Sequence, residues 1–184
     1  LSLTTSNRYY KKLDLENGLL TIRAYNLSDG RYIRHFIDFV RKCKLLLVVD
    51  MHFPCQPTDM VIHGIVGHNK HLLSIDLKEC PSVTDEAVQA VALHCPSLNN
   101  ICLGGVLCDH PEISDVAVHS LAQFCKQLVS IDLDDTAVTD VGLLVLASSC
   151  HRLQYASVGC TFVTQVGAVA LAQRCTSARA SAGM

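Results

Sequence analysis

The chain has 184 residues, of which 49% are hydrophobic and 17% are charged, and its formal net charge at neutral pH is -2. This length and composition suffice for one domain with a hydrophobic core. The small net charge argues against binding to nucleic acid or to an anionic membrane surface, and aromatic residues are too few for base stacking. No apolar run approaches the ~20 residues that a transmembrane helix requires.

In chain order, the sequence divides into a leading segment, six similar units and a short tail. Residues 1–17 are predicted to cap the units, with Leu13 and Leu15 in an extra edge strand. The units together span residues 18–175, and they cover residues 18–43, 44–69, 70–95, 96–125, 126–150 and 151–175. Residues 176–184 are small and polar, which predicts a flexible tail and leaves the last unit without an apolar cap.

Cysteines mark the ends of the units. Five of the ten cysteines occupy this position, and Asn69 replaces a cysteine in the second unit; the five are Cys43, Cys95, Cys125, Cys150 and Cys175. Because no CxxC pair is present, we interpret these cysteines as buried packing residues rather than as disulfides. This predicts a reducing, intracellular compartment: cytoplasm, nucleus or mitochondrial matrix. Cys80 and Cys160 are predicted at equivalent positions after the strands, with Thr136 in that place in the fifth unit.

Each unit contains a strand pattern followed by a helix pattern. In the fifth unit, Leu128, Ile131 and Leu133 have the spacing of a short, half-buried strand, and the residues after Thr139-Asp140 have helical spacing. The hydroxyl residue is expected to cap the helix, and the aspartate to interact with its dipole. The same pair occurs at Ser28-Asp29, Thr58-Asp59, Thr84-Asp85 and Ser114-Asp115, whereas the sixth unit has Thr164-Gln165.

One strand and one helix per unit cannot bury their own apolar faces, so the units are expected to stack. The predicted fold is an α/β solenoid in the form of an open horseshoe, with a parallel sheet on the concave face and helices on the convex face. The pattern C-x-x-L-x-x-I-x-L-x-x-C-x-x-V-T-D-x-x-V-x-x-L-A resembles the cysteine-containing leucine-rich repeats of F-box/leucine-rich-repeat proteins and of the antagonist of mitotic exit network protein. The resemblance is strongest over residues 70–175 and implies a ribonuclease-inhibitor-like leucine-rich-repeat fold.

The resemblance implies a protein-binding function rather than an enzymatic one. F-box relatives are substrate receptors of ubiquitin ligases and use Skp1 as adaptor. Residues 1–17 are too short for an F-box and lack its Leu-Pro opening, so Skp1 is expected as a partner only if an F-box lies outside this chain. Assembly proteins of mitochondrial respiratory complexes, similar to the coupling factor B family, also carry small repeat arrays, which leaves a structural or assembly role as the alternative.

Residues between the leucines of each strand are expected on the concave face, where a partner would bind. The predicted central column consists of Thr21, Asp50, Asp76, Cys102, Asp132 and Ser157. The two neighbouring columns are Arg23, His52, Lys78, Gly104, Asp134 and Gly159 on one side, and Leu19, Val48, Ser74, Asn100, Ser130 and Tyr155 on the other. The predicted partner-binding residues are Asp50, His52, Asp76, Lys78, Asn100, Asp132, Asp134 and Tyr155.

The aspartates of these columns admit two interpretations. They could form an acidic strip that receives Lys or Arg from a partner. Alternatively, they belong to a solvated sheet face that Lys78 and Arg23 partly neutralise. The insertion at residues 106–112 is either a recognition loop or a tolerated surface insertion.

Chemistry at cysteine and histidine is not expected. Cys102, Cys108 and His110 have a C-x5-C-x-H spacing that matches no standard zinc site, so no metal or cofactor is predicted. His63 and His68 lie five residues apart without the glutamate of a zinc-protease helix. His94 precedes Cys95, but that pair ends a unit, and a nucleophilic cysteine would need an exposed, electropositive site.

Overall fold

The computed structural model of the chain describes residues 10–16, 19–24, 30–43, 45–51, 58–104, 112–159, 161–174 and 177–179. Strands and helices alternate after the first strand pair. The helices are α1 (Gly30–Lys42), α2 (Asp59–Val66), α3 (Asp85–His94), α4 (Asp115–Phe124), α5 (Asp140–Ser149) and α6 (Gln165–Ala172). The strands are β1 (Tyr10–Glu16), β2 (Leu19–Ala24), β3 (Val48–Asp50), β4 (Ser74–Asp76), β5 (Asn100–Cys102), β6 (Ser130–Asp132), β7 (Tyr155–Ser157) and β8 (Ser177–Arg179).

All described strands form one sheet in the order in which they occur along the chain. β1 pairs antiparallel with β2, and every later neighbouring pair, from β2–β3 to β7–β8, is parallel. The chain returns through a helix between successive parallel strands, and the helices pack against their immediate neighbours. The predicted solenoid with a parallel sheet is therefore confirmed.

One continuous core lies between the sheet and the helices. The middle residue of each short parallel strand is buried, as in Ile75, Ile101 and Ile131, whereas its two neighbours are more accessible in β3, β4 and β6. Since successive strand residues point to opposite faces, the middle residues face the helices and their neighbours face the open side of the sheet. The repeated leucines are thus core residues, and the residues between them form the concave face.

The capping aspartates also connect neighbouring coils. The side chains of Thr84, Ser114, Thr139 and Thr164 accept the predicted cap bond from a backbone N–H within their own helices. Each of these hydroxyls also donates, at 2.5–2.6 Å, to the aspartate at the start of the preceding helix. The same carboxylates, those of Asp59, Asp85, Asp115 and Asp140, accept from the backbone N–H of the cap residue at 2.8–3.0 Å. We call these four residues the aspartate ladder.

Thr58 departs from this arrangement. It occupies the N-cap of α2, but its side chain makes no cap bond, and its buried Oγ1 has no hydrogen-bond partner among the described residues. Asp29, which holds the equivalent sequence position in the preceding unit, lies outside the described residues. The ladder is therefore described from Asp59 to Thr164.

The cysteines at the ends of the helices form a second interaction between coils. Cys95, Cys125 and Cys150 are buried C-caps of α3, α4 and α5. The Cys125 thiol donates to the Cys95 carbonyl at 3.7 Å, and the Cys150 thiol donates to the Cys125 carbonyl at 3.8 Å. The Cys95 thiol donates to the carbonyl of buried Asn69, which confirms that this asparagine occupies a cysteine position. These described cysteines pack the array, as their spacing indicated.

The predicted equivalence of Cys80 and Cys160 is wrong by one residue. Thr136 donates to the carbonyl three residues before it, and Thr161 makes the same bond to Val158. The sheet register makes Val158 equivalent to Leu77, so Thr161 rather than Cys160 occupies the Cys80 position. Cys160 itself lies outside the described residues.

Both ends of the described sheet carry additional strands. β1 contains Leu13 and Leu15, so the predicted extra strand is confirmed; whether residues 1–17 cap the array stays a prediction. β8, Ser177–Arg179, lies within the predicted flexible tail and pairs with β7, so that prediction is wrong for these three residues. Small residues can extend a sheet because the hydrogen bonds between strands use backbone groups alone.

Candidate protein-binding face

A column of polar residues crosses the open face of the sheet. Asp50 is aligned with Asp76, Asp76 with Cys102, Cys102 with Asp132, and Asp132 with Ser157. The predicted alignment of these five residues is therefore correct, and Asp50 and Asp76 occupy directly adjacent positions. Neighbouring parallel strands lie about 4.8 Å apart, so like charges at adjacent positions disfavour each other and favour a cationic partner.

The register of the first unit differs from the prediction. Arg23, not Thr21, is aligned with Asp50, and Thr21 is aligned with Val48 instead of Leu19. The unit matches the repeat pattern poorly, and its residues show no gap at which a two-residue shift could be placed. β8 adds Arg179 beside Ser157. The central column therefore has an arginine position at each end of its three aspartates, which makes it less acidic than predicted.

The Asp132 carboxylate makes three described contacts. Lys78 Nζ lies 3.8 Å from Asp132 Oδ2, and the Cys102 thiol donates to the same oxygen at 3.4 Å. The other carboxylate oxygen accepts from the backbone N–H of Asp134 at 3.0 Å. Asp132 raises the pKa of Lys78, so this lysine remains charged. Lys78 therefore partly neutralises the aspartates of the sheet face, as the interpretation of a solvated face expected.

Gly104 lies between Lys78 and Asp134 in their column. A Cβ at Gly104 would be 2.5 Å from Asp132 Oδ1 and 2.7 Å from the backbone nitrogen of Asp134. Any side chain here would collide with the backbone of the next coil. The repeat between Lys78 and Asp134 therefore presents no side chain in this column.

Asp76 and Asp134 also make hydrogen bonds within the sheet. Asp76 Oδ1 accepts from the backbone N–H of Lys78 at 2.9 Å. Asp134 Oδ1 accepts from Ser157 Oγ at 2.8 Å and from the backbone N–H of Gly159, both in the next coil. Asp134 thus joins the fifth and sixth units, whereas no second bond to Asp76 is described.

The remaining predicted residues lie on the same face or outside the described chain. Asn100 is exposed and donates to Asn99 Oδ1 at 2.9 Å, and half-buried Tyr155 follows it two strands away. Val48, Ser74, Asn100, Ser130 and Tyr155 are aligned as predicted. His52, Cys108, His110 and residues 106–111 of the insertion lie outside the described residues, whereas Glu112 is described and its carbonyl accepts from the backbone N–H of Asp85.

The cysteines of this region are protonated thiols rather than nucleophiles. Burial raises the pKa of Cys102 far above its ordinary value, and Asp76 and Asp132 raise it further. Burial also raises the pKa values of Cys95 and Cys125 to about 12. Since the thiolate is the reactive form, these three described thiols are unsuited to nucleophilic chemistry at neutral pH. Within the described ranges, no group of three or more His, Cys, Asp or Glu residues could hold a metal ion.

An apolar strip on the convex face was not predicted. Val116, Val141 and Val166 each occupy the second residue of their helix and are at least half exposed. A shallow groove between α4 and α5 is lined by Val116, Val141, Val145 and His119, among others. The valine that follows the capping pair in each of the last three units was the available signal, but helical periodicity alone does not tell which apolar residues a neighbouring coil will cover.

Comparisons with known proteins agree with this architecture. A family model described as Leucine Rich repeat matches residues 68–92, a window that contains β4 and most of α3. No curated protein matches the chain. Among the helices described, none is long and apolar enough to cross a membrane. The matched repeat and the consecutive strand–helix coils that surround it together identify the fold as a leucine-rich-repeat solenoid, an architecture that generally binds other proteins.

Proposed function

We propose that this chain is a protein-interaction scaffold that binds its partner on the concave sheet face. The observation that carries the proposal is the polar column in which three aspartates, Asp50, Asp76 and Asp132, occupy an open sheet between two arginine positions. A column of this kind favours a partner with Lys or Arg at its centre, since complementary charge directs association and fixes register. Asn100 and Tyr155 flank the column and would supply hydrogen bonds and contact area.

Lys78 would be exchanged when the partner binds. Its side chain is 44% exposed and pairs with Asp132 at 3.8 Å, a separation at which an exposed ion pair contributes only ~0–1 kcal/mol. A partner arginine could bind the Asp132 carboxylate with two parallel N–H bonds, which a lysine cannot form. In the free protein Lys78 thus occupies the Asp132 carboxylate, and a partner can replace it with little loss of free energy.

The finer function we propose is that of the substrate- or partner-recognition domain of an F-box-like ubiquitin-ligase receptor or a related adaptor. The repeat pattern resembles those receptors, and Skp1 would be recruited only through an F-box outside this chain. The alternative is a structural or assembly subunit of a larger complex, possible in the mitochondrial matrix as well as in the cytoplasm or nucleus. Packing cysteines suit any of these reducing compartments.

The test is affinity purification of the tagged full-length protein with mass spectrometry, comparing wild type with an Asp76→Asn/Asp132→Asn double variant. Asparagine retains an oxygen for the backbone bonds to Lys78 and Asp134 but removes the charge. The matched control is Asp38→Asn/Glu86→Gln, which removes two exposed carboxylates from α1 and α3. We expect roughly tenfold lower partner recovery with the concave variant and unchanged recovery with the control.

The identity of the captured proteins separates the two functions. Skp1 and a cullin would support the ligase receptor, whereas respiratory-complex subunits would support the assembly role. Full recovery of every wild-type partner by the concave variant would show that partners bind elsewhere, and the concave proposal would then be abandoned.

A further inference from the structure

Positive charge collects along one edge of the solenoid, where each helix ends and the chain turns into the next strand. We call this the cationic edge; its Lys and Arg residues are Lys42, Lys70, Lys126, Arg152 and Arg174. In the described turns that lead from a helix to a strand, none of the residues is Asp or Glu. The four acidic residues of the aspartate ladder instead lie on the opposite edge, where the helices begin. The molecule is therefore charged in opposite senses at its two edges.

Helix capping accounts for only part of the cationic edge. Lys126 donates to the Ala122 carbonyl at 2.5 Å, as expected for a cation near a helix C-terminus. Lys70 and Arg152 lie beyond their helices, in the following turns, and both are exposed. Arg152 Nη1 donates to Gln127 Oε1 in the preceding coil, which orients its guanidinium group along the edge.

The charges of the edge are not neutralised within the part of the chain that the structure describes. The described ion pairs are Arg41–Asp38 and Lys78–Asp132, on α1 and on the sheet face. Lys70, Lys126, Arg152 and Arg174 have no described carboxylate within 4 Å. A row of exposed, like-charged side chains repels itself, so an anionic partner along the edge would relieve that repulsion.

The opposite edge of a second copy is a poor occupant. Both carboxylate oxygens of each aspartate in the ladder accept hydrogen bonds from the next coil. Exchanging these bonds for contacts with another molecule would uncap the helices. The edge-to-edge association that the two charged edges would otherwise favour is thus opposed by the internal use of the acids.

We propose that the cationic edge binds an extended acidic segment of a partner protein. Successive coils at this edge are spaced between about 5 Å, the separation of strands, and about 8–10 Å, the separation of packed helices, although the turn after α3, residues 95–99, contains no Lys or Arg. An extended chain presents every second side chain on one face, at intervals of about 6.6 Å, so alternating Glu or Asp residues match this spacing. Nucleic acid fits less well, because the described turns from helix to strand contain no Phe, Tyr or Trp, and Phe124 belongs to the end of α4.

The experiment measures fluorescence anisotropy of a labelled peptide of about 12 residues with alternating Glu and Ser, long enough to cross several coils. The whole 184-residue chain is compared with Arg152→Glu, Lys70→Glu/Arg152→Glu and, as matched control, Arg34→Glu on α1. Arg34 is exposed, so the control makes the same charge change away from the edge. We expect roughly tenfold weaker binding for the double variant at low salt, an intermediate loss for Arg152→Glu, and wild-type binding for the control.

Three results would overturn the proposal. The first is no binding of the peptide by wild type, or equal losses in the edge variants and the control. The second is tighter binding of a single-stranded oligonucleotide that the same reversals remove. The third is salt-sensitive oligomerisation of the wild type in sedimentation velocity that Arg152→Glu abolishes, which would identify a second copy as the occupant. The edge variants leave the concave aspartates intact, so this test and the concave test fail independently.

Discussion

At the scale of single residues, the concave face depends on the absence of a side chain at one position. Gly104 is buried, and the atoms nearest to its missing Cβ include the backbone nitrogen and oxygen of Asp134, at 2.7 and 2.9 Å. Backbone atoms in a sheet cannot move away as the end of a flexible side chain can. The requirement for glycine here comes from the close approach of β6 and the turn after it.

Gly104→Ala should therefore destabilise the protein. We expect a loss of ~1–3 kcal/mol in the free energy of unfolding, the usual cost of overpacking, and a melting temperature lower by several degrees. Thermal and urea unfolding followed by circular dichroism would measure both. The matched control is Gly67→Ala, at an exposed helix C-cap with a helical φ of -60°, where we expect a change within ~0.5 kcal/mol. Equal stability of Gly104→Ala and wild type would contradict the close approach.

At the scale of elements, each helix start is held by the coil before it. Asp115 belongs to α4, but its carboxylate accepts from Thr139 Oγ1 at 2.6 Å, from Thr139 N at 2.9 Å and from Gly142 N at 3.1 Å, all at the start of α5. A Cβ at Gly142 would lie 2.5 Å from this carboxylate. The aspartate therefore stabilises a neighbouring helix as well as its own.

Asp115→Ala should lower the free energy of unfolding by ~1–3 kcal/mol, because it removes an interhelical cap and leaves the Thr139 and Gly142 donors unpaired. The control is Glu86→Ala in the first turn of α3, an exposed acid that shares the helix-dipole interaction with no bond described to another coil. We expect ~0.3–1 kcal/mol or less for the control. If the two variants lose equal free energy of unfolding in urea, the stabilisation comes from the helix dipole and not from the hydrogen bonds of the aspartate ladder.

At the scale of the whole molecule, the solenoid is held together by contacts between neighbouring coils. Its stability is accordingly a sum of coil terms and interface terms, and a weakened interface opens the array locally. Asp140, which joins α5 to α6, is the last aspartate of the described ladder, since Gln165 occupies the next position. Because Gln165 has no carboxylate to offer a following coil, α6 lies at the end of the ladder. We therefore expect local opening to begin at the interface between α5 and α6.

Acid should release α6 before the central coils. Hydrogen bonds from the Thr164 side chain and backbone lower the pKa of Asp140 below its ordinary value of 3.8. Because the folded-state pKa is the lower one, the stabilisation is complete above about pH 4 and is lost as the pH falls through the folded value. Hydrogen exchange should show α6 amides losing protection below pH 4 while α3 and α4 amides remain protected.

The matched variant for that experiment is Asp140→Asn, which cannot ionise. It should show reduced α6 protection at neutral pH and a smaller further loss in acid than wild type. Simultaneous loss of protection in α3, α4 and α6 of the wild type would indicate that the array unfolds as one unit, and the expected local opening at α6 would be wrong.

The sequence by itself determined the unit, its strand and helix, the capping pairs and the cysteine positions. These features follow from local spacing, such as Leu128, Ile131 and Leu133 in the strand and Thr139-Asp140 at the helix start, and local spacing is fully present in one chain segment. The same periodicity predicted the stacking, since no single coil can bury its apolar face. The central column from Asp50 to Ser157 was predicted correctly because those units match the repeat pattern.

Only the tertiary structure decided where that column ends and which of its charges are engaged. Arg23 and Arg179 lie in segments that match the repeat poorly. Strand register there is set by backbone pairing across the sheet, and this pairing has no residue pattern from which it could be predicted. The bonds of Asp134 to the next coil and of Lys78 to Asp132 join residues from different repeats. The separation of charge between the two edges likewise arises when stacking brings the same turn of every repeat to one side.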